Sequence, residues 1–309
     1  MTQLSPAADA LPALTVAAPR HLLPRWLRSL LHARLATVGC LILLLVTFAA
    51  IFAPELALHD AAQGEVVLNK IPPFWGTYKH KTGTRVYPLG TDEQGRDIYS
   101  RLLYGARISL AVGLTAVLLG GAIGIAAGLV AGYYRGITDD VIMRLADIQL
   151  AIPFILLAIA ILAVLGPGLK SIIFTLGITS WVTYARVVRG QVLSYREKEF
   201  VEAARAMGAG DVRIMVRHIL PNTWASIIVI ASFGVASTIL AEAALSFLGL
   251  SVPPTTATWG NMVAAGQSQI ITGAWWTYTF PGIAIMLTVL AVNAVGDWLR
   301  DFLDPRLRV

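Results

Sequence analysis

The residues best placed to do chemistry fall in four stretches, and none of them forms a complete catalytic set. Glu202, Arg213 and Arg217 lie in a segment interrupted by Gly208 and Gly210. Their types suit polar docking contacts with another protein. Glu242 is a lone carboxylate inside a long apolar run. Charge there costs about 2.5–3.5 kcal/mol on insertion scales. It therefore either lines a solute route or is paired or protonated inside the bundle. Asp92, Glu93 and Asp97 lie near glycines, but their spacing is not that of a calcium loop. Gly166-Pro167-Gly168-Leu169-Lys170-Ser171 imitates a phosphate loop. It fails because Leu169 separates the glycine from the lysine that must follow it directly.

Other enzyme signatures point the same way. The sequence contains no HExxH, no GxSxG and no paired aspartates within an apolar run. Its histidines are not clustered, so metal catalysis is not expected. Cys40 is the single cysteine, which excludes an internal disulfide or a cysteine-based zinc site. No basic and aromatic cluster stands apart from the apolar runs, so nucleic acid is not an expected partner.

The elements that must position these groups are set by hydrophobicity. The chain is 56% hydrophobic and 14% charged. A soluble domain has about 45–50% apolar and about 25% charged residues. About 20 apolar residues cross a bilayer as a helix, and the sequence predicts six such spans. They are 35–53, 108–131, 148–166, 171–188, 224–250 and 277–298. The fourth is the weakest because Thr175, Thr179, Ser180 and Thr183 interrupt it. Gly120, Gly124 and Gly128 form small-xxx-small pairs suited to close helix packing.

The chain divides into a tail (1–34), a first transmembrane helix (35–53) and an outer loop (54–107). A five-helix core (108–298) and a short C-terminal segment (299–309) follow. The tail is read as disordered at its start, with a short surface helix around Trp26, Leu27 and Leu30. The first span is too long for the apolar region of a cleaved leader. From Ile98, the pattern Ile98, Leu102, Ala106, Leu110 fits a helix grazing the outer membrane surface, with Arg101, Tyr104 and Arg107 on its polar side.

The inner loop, 190–222, predicts two short amphipathic helices. Phe200, Ala203, Ala204 and Met207 share one face by helical spacing, as do Val212, Met215, Val216 and Ile219. Asp211 is placed to cap the second helix. Periodicity alone fits a docking element and a solvated connector equally. Sixteen of the 24 Lys and Arg residues lie on the side that holds both termini. That bias predicts cytoplasmic N- and C-termini. Asp147 and Gln149 are read like Glu242, and Asp297 is expected to pair with Arg300.

Glu202-Ala203-Ala204, Gly208 and Leu220-Pro221 together resemble the EAA motif of ABC importer permeases. One position departs, with His218 where the motif usually has isoleucine. The stretch Leu89 to Asp97, Tyr104-Gly105-Ala106-Arg107, Leu245 to Leu250, Pro253-Pro254, Trp259-Gly260 and the end of the chain resemble the C-type permeases of dipeptide, oligopeptide and nickel importers. The resemblance covers the chain from about Leu89 onward.

It implies an all-α membrane protein with six transmembrane helices and the type I ABC importer permease (MetI-like) fold, in a bacterial inner membrane. It further implies an ATPase-coupling site at Glu202, Ala203, Ala204, Gly208, Arg213, Arg217, Leu220 and Pro221. The implied partners are a homologous second permease, two cytoplasmic ATPase subunits and a periplasmic or lipid-anchored solute-binding protein, within membrane lipid. ATP and Mg would be bound by the ATPase subunits and no cofactor by this chain. The alternative is a secondary transporter or channel that uses Glu242 in a midmembrane site.

Overall fold

The computed structural model describes residues 24–303. The disordered start read for the tail, Arg20 and the residues after Leu303 lie outside them. Twelve α-helices are described: α1 Arg25–His32, α2 Arg34–Ile51, α3 Ala53–Leu56, α4 Ile98–Tyr134, α5 Gly136–Ala151, α6 Phe154–Leu165, α7 Leu169–Tyr195, α8 Glu199–Ala206, α9 Asp211–Arg213, α10 Leu220–Phe247, α11 Trp259–Gly266 and α12 Trp276–Leu303. A π-helical stretch, Ile214–Ile219, joins α9 to α10. Five continuous helical segments are long and apolar enough to span a membrane. The fold is all-α apart from a two-residue hairpin, Thr77–Tyr78 with Lys81–Thr82.

The third expected span, 148–166, is not one straight helix. α5 and α6 meet at a bend of 96°. The break falls at Ile152-Pro153, where Ile152 is extended (φ −95°, ψ 125°). Proline disfavours a helical residue before it and cannot continue the hydrogen-bond ladder. α6 has 12 residues and rises only about 18 Å, which is too short for a crossing alone. α5 climbs along α7 through paired charges. Arg189 forks onto Asp139 at 2.5 and 2.6 Å, and Arg186 reaches Asp147 at 2.6 Å. Gln149 donates to the Thr179 carbonyl and accepts from the Trp181 indole. Asp147 and Gln149 thus bind α5 to α7.

The expected surface helix after Ile98 is also corrected. Nothing in the sequence breaks the helix between Ile98 and Arg107, so these residues form the first turns of the 37-residue α4. Asp97 caps it, accepting from the Tyr99 and Ser100 amides at 3.2 Å. Arg101, expected on a polar face, is buried.

α4 and α7 form the centre of the bundle. A Cβ on Gly124 would lie 2.3 Å from the Trp181 carbonyl oxygen, and one on Gly128 would lie 2.5 Å from that of Ala185. The glycine stripe is therefore the α4–α7 contact itself. Three hydroxyls of α7 are satisfied within the helix: Thr175 donates to Ser171 O, Thr179 to Thr175 O and Ser180 to Gly177 O.

The segment between α2 and α4 folds down as a cap on the bundle. Arg96 bonds Asp92 at 2.7 Å and the Pro254 carbonyl at 3.0 Å. Arg101 donates to Ala61 O at 2.7 Å and the Trp276 indole to Thr91 O at 3.1 Å. Trp259 lies against Gly105 and donates to Leu102 O at 3.1 Å. At the other end, the expected Asp297–Arg300 ion pair does not form, and Trp298 donates instead to Ser29 of α1. α1 itself matches the short helix expected around Trp26.

Candidate functional site

The segment between α7 and α10 forms a helical hook. α7 runs on to Tyr195, so the non-spanning part is shorter than the 190–222 expected. α8 ends in a glycine-centred stop. The Gly208 amide donates to Arg205 O and the Ala209 amide to Ala204 O, each at 3.0 Å. This is the paired bonding of a Schellman turn, which places a left-handed residue just past the helix. Gly208 fills that position with φ +80°. No atom lies within 4 Å of a Cβ built there, so backbone conformation, not crowding, selects glycine.

The hook has an inward and an outward side. Val201 and Ala204 are buried with Leu129 and Tyr133 of α4, Val188 and Val192 of α7, and Ile214, Met215 and Ile219. The outward side carries most of the apolar face that spacing grouped in α8, and only Ala204 of that face is buried. Phe200, Ala203 and Met207 are exposed, Met207 by 81%, alongside Glu202. The second apolar set splits as well. Met215 and Ile219 are buried, whereas Val212 and Val216 face out, at 68% and 54% exposed.

The π-helical stretch explains the outward turn of Val216. Each i→i+5 bond admits an extra residue per turn and rotates the following side chains. Pro221, exposed near the start of α10, has no amide and its ring crowds the carbonyl four residues back. Widening the preceding turn relieves that crowding. Arg213 and Arg217 are left on the exposed side and Leu220 is half-buried.

Tyr133 ties the hook to α4, and neither charge pattern nor periodicity singled it out. Its hydroxyl donates to Asp211 at 2.7 Å and faces the Arg205 guanidinium at 3.4 Å. Arg196 donates to its carbonyl at 2.5 Å. The bond to Tyr133 raises the Arg205 pKa above its ordinary value. Asp211 was expected to cap the second helix with its side chain. Gly210 holds the cap position instead, and the Asp211 carboxylate turns to Tyr133. The only available signal for Tyr133 was an aromatic at the end of a span.

Glu242 lies far from the hook, toward the other end of α10, and is 1% exposed. Its Oε1 accepts from Ser246 at 2.8 Å and Ser251 at 3.1 Å. These bonds hold it inside the chain, between α10 and the loop that follows. The structure thus brings Glu202, Ala203, Ala204, Gly208, Arg213, Arg217, Leu220 and Pro221 into one element and leaves Glu242 outside it.

Known proteins give this arrangement a context. Residues 124–309 match the family described as binding-protein-dependent transport system inner membrane component. The chain is 42% identical to the di/tripeptide transport system permease protein DppC of Pseudomonas aeruginosa (strain UCBPP-PA14), across 98% of this chain and 97% of that protein. It is 44% identical to a putative peptide transport system permease of Brucella suis biovar 1, covering 91% of each. It is 40% identical to the oligopeptide transport system permease protein OppC of Bacillus subtilis (strain 168), covering 89% and 87%. In fold it resembles a chain of the inward-facing MetNI methionine ABC transporter, with a TM-score of 0.53 and 20% identity over 66% of this chain and 96% of that one. The bundle, the hook and these relatives agree, and the chain belongs to the binding-protein-dependent transport system inner membrane components, a family of multi-pass transport permeases.

Proposed function

We propose that this chain is one of two homologous permease subunits of an ATP-driven importer of peptides or closely related solutes, and that the hook receives the work of ATP hydrolysis. One observation carries the proposal: the hook is sunk into the α4, α7 and α10 core on one side and bare on the other. A push on its bare side moves the spanning helices directly. The bare side mixes apolar Phe200, Ala203 and Met207 with Glu202, Arg213 and Arg217. That composition suits a protein interface with an apolar centre and a charged rim. The peptide class follows from the names of the relatives.

In this reading two cytoplasmic ATPase subunits bind ATP and Mg and dock on the hooks. This chain hydrolyses nothing itself. A periplasmic or lipid-anchored binding protein delivers the solute to the outer cap. Both termini and the hook face the cytoplasm of a bacterial cell, as the excess of Lys and Arg on that side supports. Glu202 makes polar contact with the ATPase, Arg213 and Arg217 meet acidic groups, and Gly208 sets the turn. The bonds of Glu242 to Ser246 and Ser251 favour an internal structural role over a midmembrane solute site.

The test uses the complete transporter reconstituted in vesicles. Met207→Asp and Glu202→Lys are expected to abolish solute-stimulated ATP hydrolysis and peptide uptake. Uptake at the unmodified rate in both variants would refute the coupling role. So would labelling of Met207→Cys by a membrane-impermeant maleimide from the side that binds the solute-binding protein.

A further inference from the structure

Arg107 lies on α4 beside a crevice that the transport reading leaves unused. Among the described residues it has no hydrogen-bond, ion-pair or ring partner. The crevice runs between α2, α4, α10 and α12 and has a volume of about 560 Å³. Its walls are almost wholly apolar, with Leu43, Ile51, Leu110, Val235 and Val292 among them, and Arg107 is its single charged lining residue. Thr47 lines it one turn below Ile51, and its hydroxyl is likewise unpaired.

The depth of Arg107 follows from α4. The helix ends at Tyr134, followed by Arg135. If Tyr133 marks one edge of the hydrocarbon, about 20 residues carry the helix across the roughly 30 Å core. That puts the far edge near Gly113 and the Arg107 backbone about 9 Å beyond it, just past the roughly 5–7 Å headgroup layer, into which its long side chain reaches back. Arg107 thus stands at phosphate level, over an apolar trench that descends beside Leu110 and Leu114.

Three kinds of occupant could fill such a trench. A peptide would leave its backbone amides without partners along these walls, and that is costly. A helix of a second subunit would satisfy the guanidinium only by bringing its own acidic or carbonyl group to this level. A phospholipid satisfies both ends, because its phosphate takes a charge-assisted bond from Arg107 and an acyl chain fills the trench. With no acidic group in the lining, the site carries one net positive charge and favours an anionic headgroup over a zwitterionic one. We propose that this crevice holds one anionic phospholipid, with its phosphate on Arg107, a glycerol ester near Thr47 and one acyl chain between α2 and α10.

The test is native mass spectrometry of the assembled transporter titrated with phosphatidylglycerol. The unmodified complex is expected to hold a phosphatidylglycerol that Arg107→Leu binds at least about tenfold more weakly. Arg107→Lys should keep most of the binding. Val235→Trp, which fills the trench and leaves the guanidinium intact, should lose it. Equal retention in all four proteins would overturn the proposal, as would binding of phosphatidylcholine as tight as that of phosphatidylglycerol. Competitive displacement of the lipid by a dipeptide would make the crevice a solute route. Efficient disulfide formation between Thr47→Cys and a cysteine of the second permease would make it a subunit interface. Either result also overturns the lipid assignment.

Discussion

The cap and the hook are both built around segments at the ends of the spanning helices, and both carry conspicuous sequence blocks. They use those blocks in opposite ways. In the cap, Arg96, Asp97, Arg101 and Trp276 are buried, and each is bonded to a distant part of the chain. In the hook, Glu202, Ala203, Arg213 and Arg217 are exposed, and only the turn and the inward face are fixed internally. A buried, satisfied polar group specifies architecture, because leaving it unpaired is expensive. An exposed charge beside exposed apolar side chains gains little within its own chain, which fits the proposed docking role. The cap block is therefore a fastening, and the hook block is left open for the docking role proposed for it.

The comparison can be broken by four substitutions. Trp276→Ala removes a fully buried indole from the cap and should cost about 3–5 kcal/mol. Thermal melting of the purified complex should fall sharply, and an unchanged melt would remove the distinction. Gly208→Ala forces a side chain into the left-handed region at about 1–2 kcal/mol. Hydrogen exchange should rise across 199–219 only, with the global melt little changed and transport reduced. Tyr133→Phe deletes one hydroxyl shared by Asp211 and Arg205, worth about 1 kcal/mol. It should loosen the hook less than Gly208→Ala does, and a larger effect would make Tyr133 part of the docking surface. Glu202→Gln should change stability by less than about 0.5 kcal/mol. Its effect should appear only in solute-stimulated ATP hydrolysis.

Much of the fold was legible because crossing a membrane imposes a length and a composition. Five apolar runs became helices within a few residues of their expected ends, or longer at one end, as α4 and α7 were. The third run was readable as apolar but not as bent, although Pro153 was in view. A proline inside an apolar run can kink a span or break it, and only the packing of α5 on α7 decides. In the hook, the identity of the turn residue was legible in Gly208 because few residues accept a positive φ. The direction of the helix faces was not. Phe200 and Met207 look like core residues by spacing, yet they point outward.

The sequence by itself therefore determined the class of molecule, the number of apolar runs, the place of the hook and the residue that turns it. These follow from hydrophobicity and from local backbone sterics, which act over a few residues. Tertiary structure decided which charges are spent inside the chain. It paired Arg101 with Ala61, Asp211 with Tyr133 and Glu242 with Ser246 and Ser251, and it left Arg107 free. Those choices depend on which helices meet and at what rotation, and a single π-helical turn before Pro221 is enough to split a face that periodicity assigns as one.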